Sequence, residues 1–169
     1  MRRIKDSGAE KVALLGFSAG GHLAGHVALT ALPSDPERVD AVILSYPVVS
    51  MELDTHQGSQ IALLGETPHA AARAATSLDR LVTASAPPFF IWHTANDPSV
   101  PVQHSYLLAQ ALAQALAHHS VSHALHVFPE GAHGLGLARA AGEAESWTAL
   151  CASWLGHFLL TDQRVQQIG

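Results

Sequence analysis

The sequence predicts an α/β domain, a parallel sheet with helices packed on it, and three observations carry that expectation. Short apolar runs without polar alternation, such as Val12 to Leu15 and Ala41 to Leu44, read as strands covered on both faces. Between such runs lie stretches with apolar residues at helical spacing, for example Leu107, Leu108, Ala111, Leu112, Ala115 and Leu116. Strand and helix alternate with short turns, which implies parallel strands joined by right-handed crossovers.

Taken in order, Met1 to Glu10 reads as the tail of a helix or a polar lead-in, with Ser7-Gly8 as its stop. The strand Val12 to Leu15 runs into Gly16-Phe17-Ser18-Ala19-Gly20, and Gly20 to Leu32 reads as a helix. Its small residues Ala24, Gly25 and Ala28 suit close approach to a sheet, and Pro33-Ser34-Asp35-Pro36 ends it. A second strand lies within Val39 to Tyr46, stopped by Pro47. From Val49 to Thr83 the pattern breaks into short pieces (Gln60 to Leu64, Thr67 to Ala75, Ser77 to Val82), read here as a cap-like helical insertion above the carboxyl ends of the strands. An ordinary crossover is the other reading of that stretch. Phe89 to Thr94 is a third strand, rich in aromatics, and ends in the turn Ala95-Asn96-Asp97-Pro98. A crossover helix from Gln103 to His118, a fourth strand from Ala124 to Phe128 and the glycine-punctuated loop Glu130 to Gly136 follow. The last helix carries one apolar stripe through Trp147, Leu150, Cys151, Trp154, Leu155, Phe158 and Leu159, the mark of core packing rather than of a cofactor site.

Composition bounds the function. In 169 residues, 48% hydrophobic and 14% charged, there is enough apolar material for one packed domain and too little charge for disorder. Nine basic against 14 acidic residues give a formal net charge of −5, with no basic patch to suggest nucleic acid. Nothing approaches the roughly 18-residue apolar run of a membrane span. Met1-Arg2-Arg3-Ile4-Lys5-Asp6 does not lead into a signal-peptide core, so the default compartment is the cytoplasm, with secretion left open for a true start further upstream. Cys151, the single cysteine, excludes an internal disulfide and reads as inert packing.

The 12 histidines call for a metal check. His22 and His26 have a zinc-compatible spacing but lack the glutamate of H-E-x-x-H, and His118, His119, His123 and His126 have no cysteine nearby. No metal and no organic cofactor is expected.

Chemistry centres on the G-x-S-x-G stretch. Turning from strand to helix within about one residue forces the serine into a strained backbone and brings the residues two before and two after it together, so Gly16 and Gly20 are expected to supply missing Cβ atoms. The turn holds the Ser18 hydroxyl clear of the sheet, and the Ala19 N–H at the helix start points where an oxyanion would form. An activated serine needs a base and a carboxylate to orient that base, in the chain order Ser, Asp or Glu, His for this kind of elbow. Asp97 follows the third strand and His133 the fourth, so all three lie at carboxyl ends of parallel strands. Asp54, Asp79 and Glu130 compete for the acid; His22 and His93 are read as packing and structural histidines.

The segments GFSAGGHLAG, SYPVVS, IWHTANDPSVPV and FPEGAHGLGLA together resemble the α/β-hydrolase esterases of the acetylxylan esterase or acetyl esterase type, over Lys11 to Trp154. The resemblance implies Ser18 as nucleophile, Asp97 as triad acid and His133 as base. It implies a short-chain carboxylic ester, acetyl above all, of a sugar or similar alcohol as substrate. A catalytically impaired chain acting as a subunit, or a peptidase of the same fold, are the rival readings. The departure is at the front, where such esterases carry further strands and an HGGG-like loop that completes the oxyanion hole. The chain thus reads as the C-terminal part of such a fold, and losing one oxyanion donor typically costs on the order of 10² to 10³ in turnover. Its first strand, central in those esterases, is then an edge with unpaired backbone groups, which predicts self-association or pairing with another polypeptide.

Overall fold

The computed structural model describes residues 11–35, 38–53, 56–115 and 122–165, the last eight of these by backbone alone. The expected lead-in from Met1 to Glu10 lies outside the described residues, as do His118, His119 and Asp54. Four strands, β1 (Ala13–Phe17), β2 (Ala41–Ser45), β3 (Phe89–Thr94) and β4 (His123–Phe128), form one sheet in the order β1-β2-β3-β4. Every pairing is parallel, with Leu14 opposite Val42, Val42 opposite Phe89, and Phe89 opposite His123. Between them run α1 (Ala19–Thr30), three short helices α2 (Gln57–Leu64), α3 (Ala70–Thr76) and α4 (Leu78–Leu81), then α5 (Gln103–Ala115). A 3₁₀ turn (Gly142–Ser146) leads into α6 (Trp147–Val165). None of the described helices is long and apolar enough to cross a membrane.

Strand side chains point alternately to the two faces, and the core divides accordingly. Val42 and Leu44 of β2 and Phe89 and Ile91 of β3 meet Ala24, Ala28 and Leu29 of α1, Leu78 of α4, and Leu108 and Leu112 of α5. Ile43, Phe90 and Trp92 face the other way, onto Phe128, Trp147 and Cys151. Trp92 and Trp147 stack with ring centroids 5.2 Å apart, and Trp92 donates its indole N–H to Ser45 Oγ at 2.7 Å, so its one polar atom is satisfied in the core. Burial pushes the Cys151 thiol up to about 11, which leaves it protonated and inert.

Three local expectations change. Leu150, placed in the apolar stripe of the last helix, is solvent-exposed, because the stripe that meets the sheet runs through Trp147, Cys151, Trp154 and Leu155; the side chains of Phe158 and Leu159 lie outside the described residues. Gly25 serves α4 rather than the sheet: a Cβ there would come within 2.6 Å of Leu78 Cδ1. The third is the elbow, where Gly16 behaves as expected, since a Cβ would sit 2.3 Å from Gly20 O. Gly20 does not, because its missing side chain points into open space, and the crowded partner is Gly21, whose Cβ would come within 3.0 Å of Pro47 Cβ.

Candidate active site

Strand β1 delivers Ser18 at the start of α1 with φ 52° and ψ −121°, a region that costs a non-glycine residue roughly 1–3 kcal/mol. Backbone bonds hold it there: Ser18 N–H donates to Ser45 O at 3.0 Å, and Ser18 O accepts from His22 N–H at 3.1 Å and from Val48 N–H at 3.3 Å. A serine at a helix N-cap ordinarily turns its oxygen onto the first-turn N–H groups. Ser18 makes no such cap bond, and its Oγ instead lies 2.7 Å from His133 Nε2. Ala19 opens the helix, so its N–H is among those without an intrahelical acceptor.

Strand β3 ends in the turn that carries Asp97. Asp97 Oδ1 accepts from Ser99 N–H at 2.8 Å and Val100 N–H at 2.9 Å, while Oδ2 takes His133 Nδ1–H at 2.7 Å. Burial alone would raise this carboxyl, but the bonds from Val100, His133 and Ser99 more than offset it, and the net shift is downward. With Nδ1–H directed at Asp97, the neutral ring presents the Nε2 lone pair to the serine hydroxyl.

Two further anchors hold the loop that carries His133. At one end Thr94 Oγ1 donates to Gly131 O and Gly131 N–H donates to Asn96 Oδ1, both at 2.9 Å. At the other, Gly136 N–H donates to the Tyr46 hydroxyl at 2.8 Å, and the Tyr46 ring meets the His133 imidazole edge-on with centroids 4.9 Å apart. Tyr46 itself stands at φ 39°, just past β2, with its hydroxyl shifted upward chiefly by burial. Sequence reasoning missed Tyr46, Thr94 and Asn96. Their only signal is position, each lying at or just beyond the carboxyl end of a strand.

The competing residues fall elsewhere. His22 donates Nε2–H to Thr76 O at 2.7 Å and ties α1 to the end of α3. Asp79 lies in α4 with its carboxyl raised by burial, and Glu130 is exposed. His104, which the sequence did not single out, is buried and accepts Val49 N–H and Ser50 N–H on Nδ1, holding the chain just after β2. No group of three or more potential metal ligands occurs among the described residues.

A largely apolar cavity of about 510 Å³ borders Ala19 and is lined by His22, Leu23, Met51, His56 and Leu63. A larger opening of about 960 Å³ is walled by Asn96, Glu130, Leu135 and Arg139, but neither Ser18 nor Ala19 reaches it. Of these two, the smaller cavity is the one that borders the residue next to the serine.

A parallel sheet with a strained serine elbow after one strand, an aspartate after another and a histidine loop after a third defines an α/β hydrolase. Comparison with known proteins gives the family: the BD-FAE family model matches residues 6–112, and the chain belongs to that family. It is 40% identical over 138 residues to an endo-1,4-β-xylanase B of Butyrivibrio fibrisolvens, covering 76% of this chain and 21% of that protein. Among solved structures, an acetyl ester-xyloside bifunctional hydrolase from Caldicellulosiruptor lactoaceticus superposes with a TM-score of 0.77 at 41% identity, covering 86% of this chain and 56% of that one. A carboxylesterase from Lactobacillus plantarum superposes with a TM-score of 0.69 at 31% identity, covering 87% of this chain and 58% of that one. The chain thus spans little more than half the length of these solved relatives, and about a fifth of the xylanase.

Proposed function

We propose that the chain is a serine carboxylesterase that releases short acyl groups, acetyl above all, from a sugar or similar alcohol. The observation that carries this reading is the hydrogen-bonded line Ser18 Oγ to His133 Nε2 and His133 Nδ1 to Asp97 Oδ2, 2.7 Å at each link. His133 takes the Ser18 proton as Oγ attacks the ester carbonyl, and the resulting oxyanion faces the Ala19 N–H. Collapse expels the alcohol, which receives the same proton from Nε2. Water, deprotonated by His133, then attacks the acyl-serine and releases the carboxylic acid. Asp97 stays ionised throughout and steadies the imidazolium. The cavity beside Ala19 offers the substrate an apolar wall under α2.

The names of the relatives support an ester substrate, and those of the xylanase and the xyloside hydrolase support a sugar as the alcohol. The test compares the purified chain with Ser18→Ala on p-nitrophenyl acetate and on acetylated xylan. Ester turnover that disappears in the variant is the expected result; equal turnover by both would sink the nucleophile assignment. Labelling of Ser18 by a fluorophosphonate without turnover would instead identify a chain whose nucleophile is activated but whose acyl transfer is impaired.

A further inference from the structure

We propose that His93 is a positioning residue for this reaction: held by Ser105, it sets the carboxylate of Asp97 and the turn that grips it, and through Asp97 the tilt of His133. The inference rests on the reading of Ser18, His133 and Asp97 as the reacting line. His93 lies in β3, its side chain fully buried beside the equally buried side chain of Asp97. Its Nε2 lies 3.0 Å from Val100 O, and a carbonyl only accepts, so Nε2 carries the proton. The same nitrogen lies 3.4 Å from Asp97 Oδ2, the oxygen that receives His133. In the neutral ring Nδ1 is then an acceptor, and it takes the Ser105 hydroxyl of α5 at 2.7 Å.

His93 therefore acts on Asp97 in two ways, through the turn and through direct proximity. By binding Val100 O it pins the turn whose Ser99 and Val100 N–H groups hold Oδ1, and its Nε2 lies within ion-pair distance of Oδ2. The carboxylate can then rotate only by breaking bonds at both oxygens. The charged and titratable groups around the ring are Asp97, His104 and His133, and burial, the largest influence, lowers the tendency of His93 to charge. A ring that stays neutral keeps its single N–H on the Val100 and Asp97 side. Chemically the histidine is a fixed strut from α5 through β3 to the acid, and a side chain of the same volume without that N–H does not replace it.

Reach separates this role from simple packing. The glutamine amide nitrogen lies three bonds beyond Cβ, as does histidine Nε2; that of asparagine lies two bonds beyond, as does Nδ1. His93→Gln and His93→Asn are both polar and smaller than the original, yet only the first delivers an N–H toward Val100 O and Asp97. The experiment measures the second-order rate of fluorophosphonate labelling of Ser18, kcat and KM for p-nitrophenyl acetate, the thermal midpoint, and the downfield proton resonance of His133 Nδ1–H. His93→Asn is expected to slow labelling and kcat about tenfold or more with KM little changed, and to shift or broaden the resonance. His93→Gln is expected to stay within about threefold of the unaltered chain.

Equal losses in the two variants that follow the thermal midpoint while the resonance stays in place would overturn the proposal, as would labelling unaffected by either. If neither variant folds, Ser105→Ala takes their place. It removes the hydroxyl from Nδ1 without touching Asp97 and is expected to slow labelling about threefold, and no change overturns the proposal. An unaltered chain that no fluorophosphonate labels at any pH overturns the reading of the site itself, which distinguishes that failure from this one.

Discussion

β1 and β3 belong to the same parallel sheet, yet they are held in place by different means. Every residue of β3 is buried, between α5 and α1 on one face and the tryptophans of the other. Among the described residues β1 pairs with β2 alone, and around it Leu15 is 47% exposed, with Leu23 at 63% and Val27 at 40% on α1. Leu14, Phe17, Gly20 and Leu23 line an open apolar groove of about 620 Å³ there. The site straddles the two regions. His93 and Thr94 stand on the sealed strand with Asn96 and Asp97 in the turn just beyond it, while Ser18 and Ala19 stand at the end of the open one. Asp97 is positioned by burial and by hydrogen bonds at both oxygens, and His133 by its bond to Asp97 and the anchors of its loop. The serine is positioned by backbone geometry: a crowded Gly16, a Gly21 against Pro47, and bonds to Ser45 and Val48. The conformation of Ser18 is thus fixed by crowding and backbone bonds within the elbow itself.

Substitutions can break this contrast. The largest expected effect is on activity: Ser18→Ala should lower ester turnover by on the order of 10⁴ or more while leaving the thermal midpoint near that of the unaltered chain. Next, Trp92→Ala, in the sealed half, should cost about 3–5 kcal/mol in urea unfolding, whereas Leu23→Ala, on the open side, should stay within about 0.5 kcal/mol. Comparable losses at the two positions would remove the distinction between the regions.

The elbow supplies the third comparison. Gly16→Ala drives a methyl against the Gly20 carbonyl and should destabilise the chain by about 1–3 kcal/mol and slow labelling of Ser18. Gly20→Ala meets nothing and should stabilise by up to about 1 kcal/mol, because alanine is the better helix residue. The experiment is a pair of denaturation curves with fluorophosphonate labelling of each variant, and a Gly20→Ala chain as damaged as Gly16→Ala would contradict the open space seen at Gly20.

Acid should weaken both regions. His22 and His93 are lowered chiefly by burial, so the folded chain takes up fewer protons than the unfolded chain below pH ~6.5. Their neutral forms contribute stability that is present above that pH and is lost as pH falls toward the folded values, at no more than about 1.4 kcal/mol per pH unit for each histidine. Thermal midpoints should decline between pH 7 and pH 5, and less steeply in His93→Gln; a flat profile would be the contrary result. The smallest effect concerns association. If the apolar edge at β1 pairs with a second copy, sedimentation at tens of micromolar (a rough range for exposed-edge association) should show a species that Leu23→Lys dissociates, and a monomer at that concentration ends the idea.

Much of this was legible in the chain itself. Period and punctuation are local properties, so all four strands were visible as apolar runs, and their order placed Ser18, Asp97 and His133 on one edge of the sheet. What was not legible depends on partners far apart in sequence. His93 read as a structural, hydrogen-bonded strand histidine, but without its partners, because nothing near it reveals that Ser105 holds one nitrogen and the Asp97 turn the other. Tyr46 read as the end of a strand because its bond to Gly136 spans 90 residues. Gly20 and Gly21 exchanged roles because Pro47, which crowds the second, arrives from β2. Leu150 fits a helical stripe by spacing, yet that spacing does not say how α6 is rotated against the sheet.

By itself, then, the sequence determined the parallel α/β architecture and the order in which Ser18, Asp97 and His133 reach one edge of the sheet, because backbone period and residue identity are written locally. Only the tertiary structure decided how those groups are held: which oxygen of Asp97 faces His133, which glycine is crowded, and which strand lies open. Orientation is set by contacts across the sheet, and those exist only once distant segments have packed.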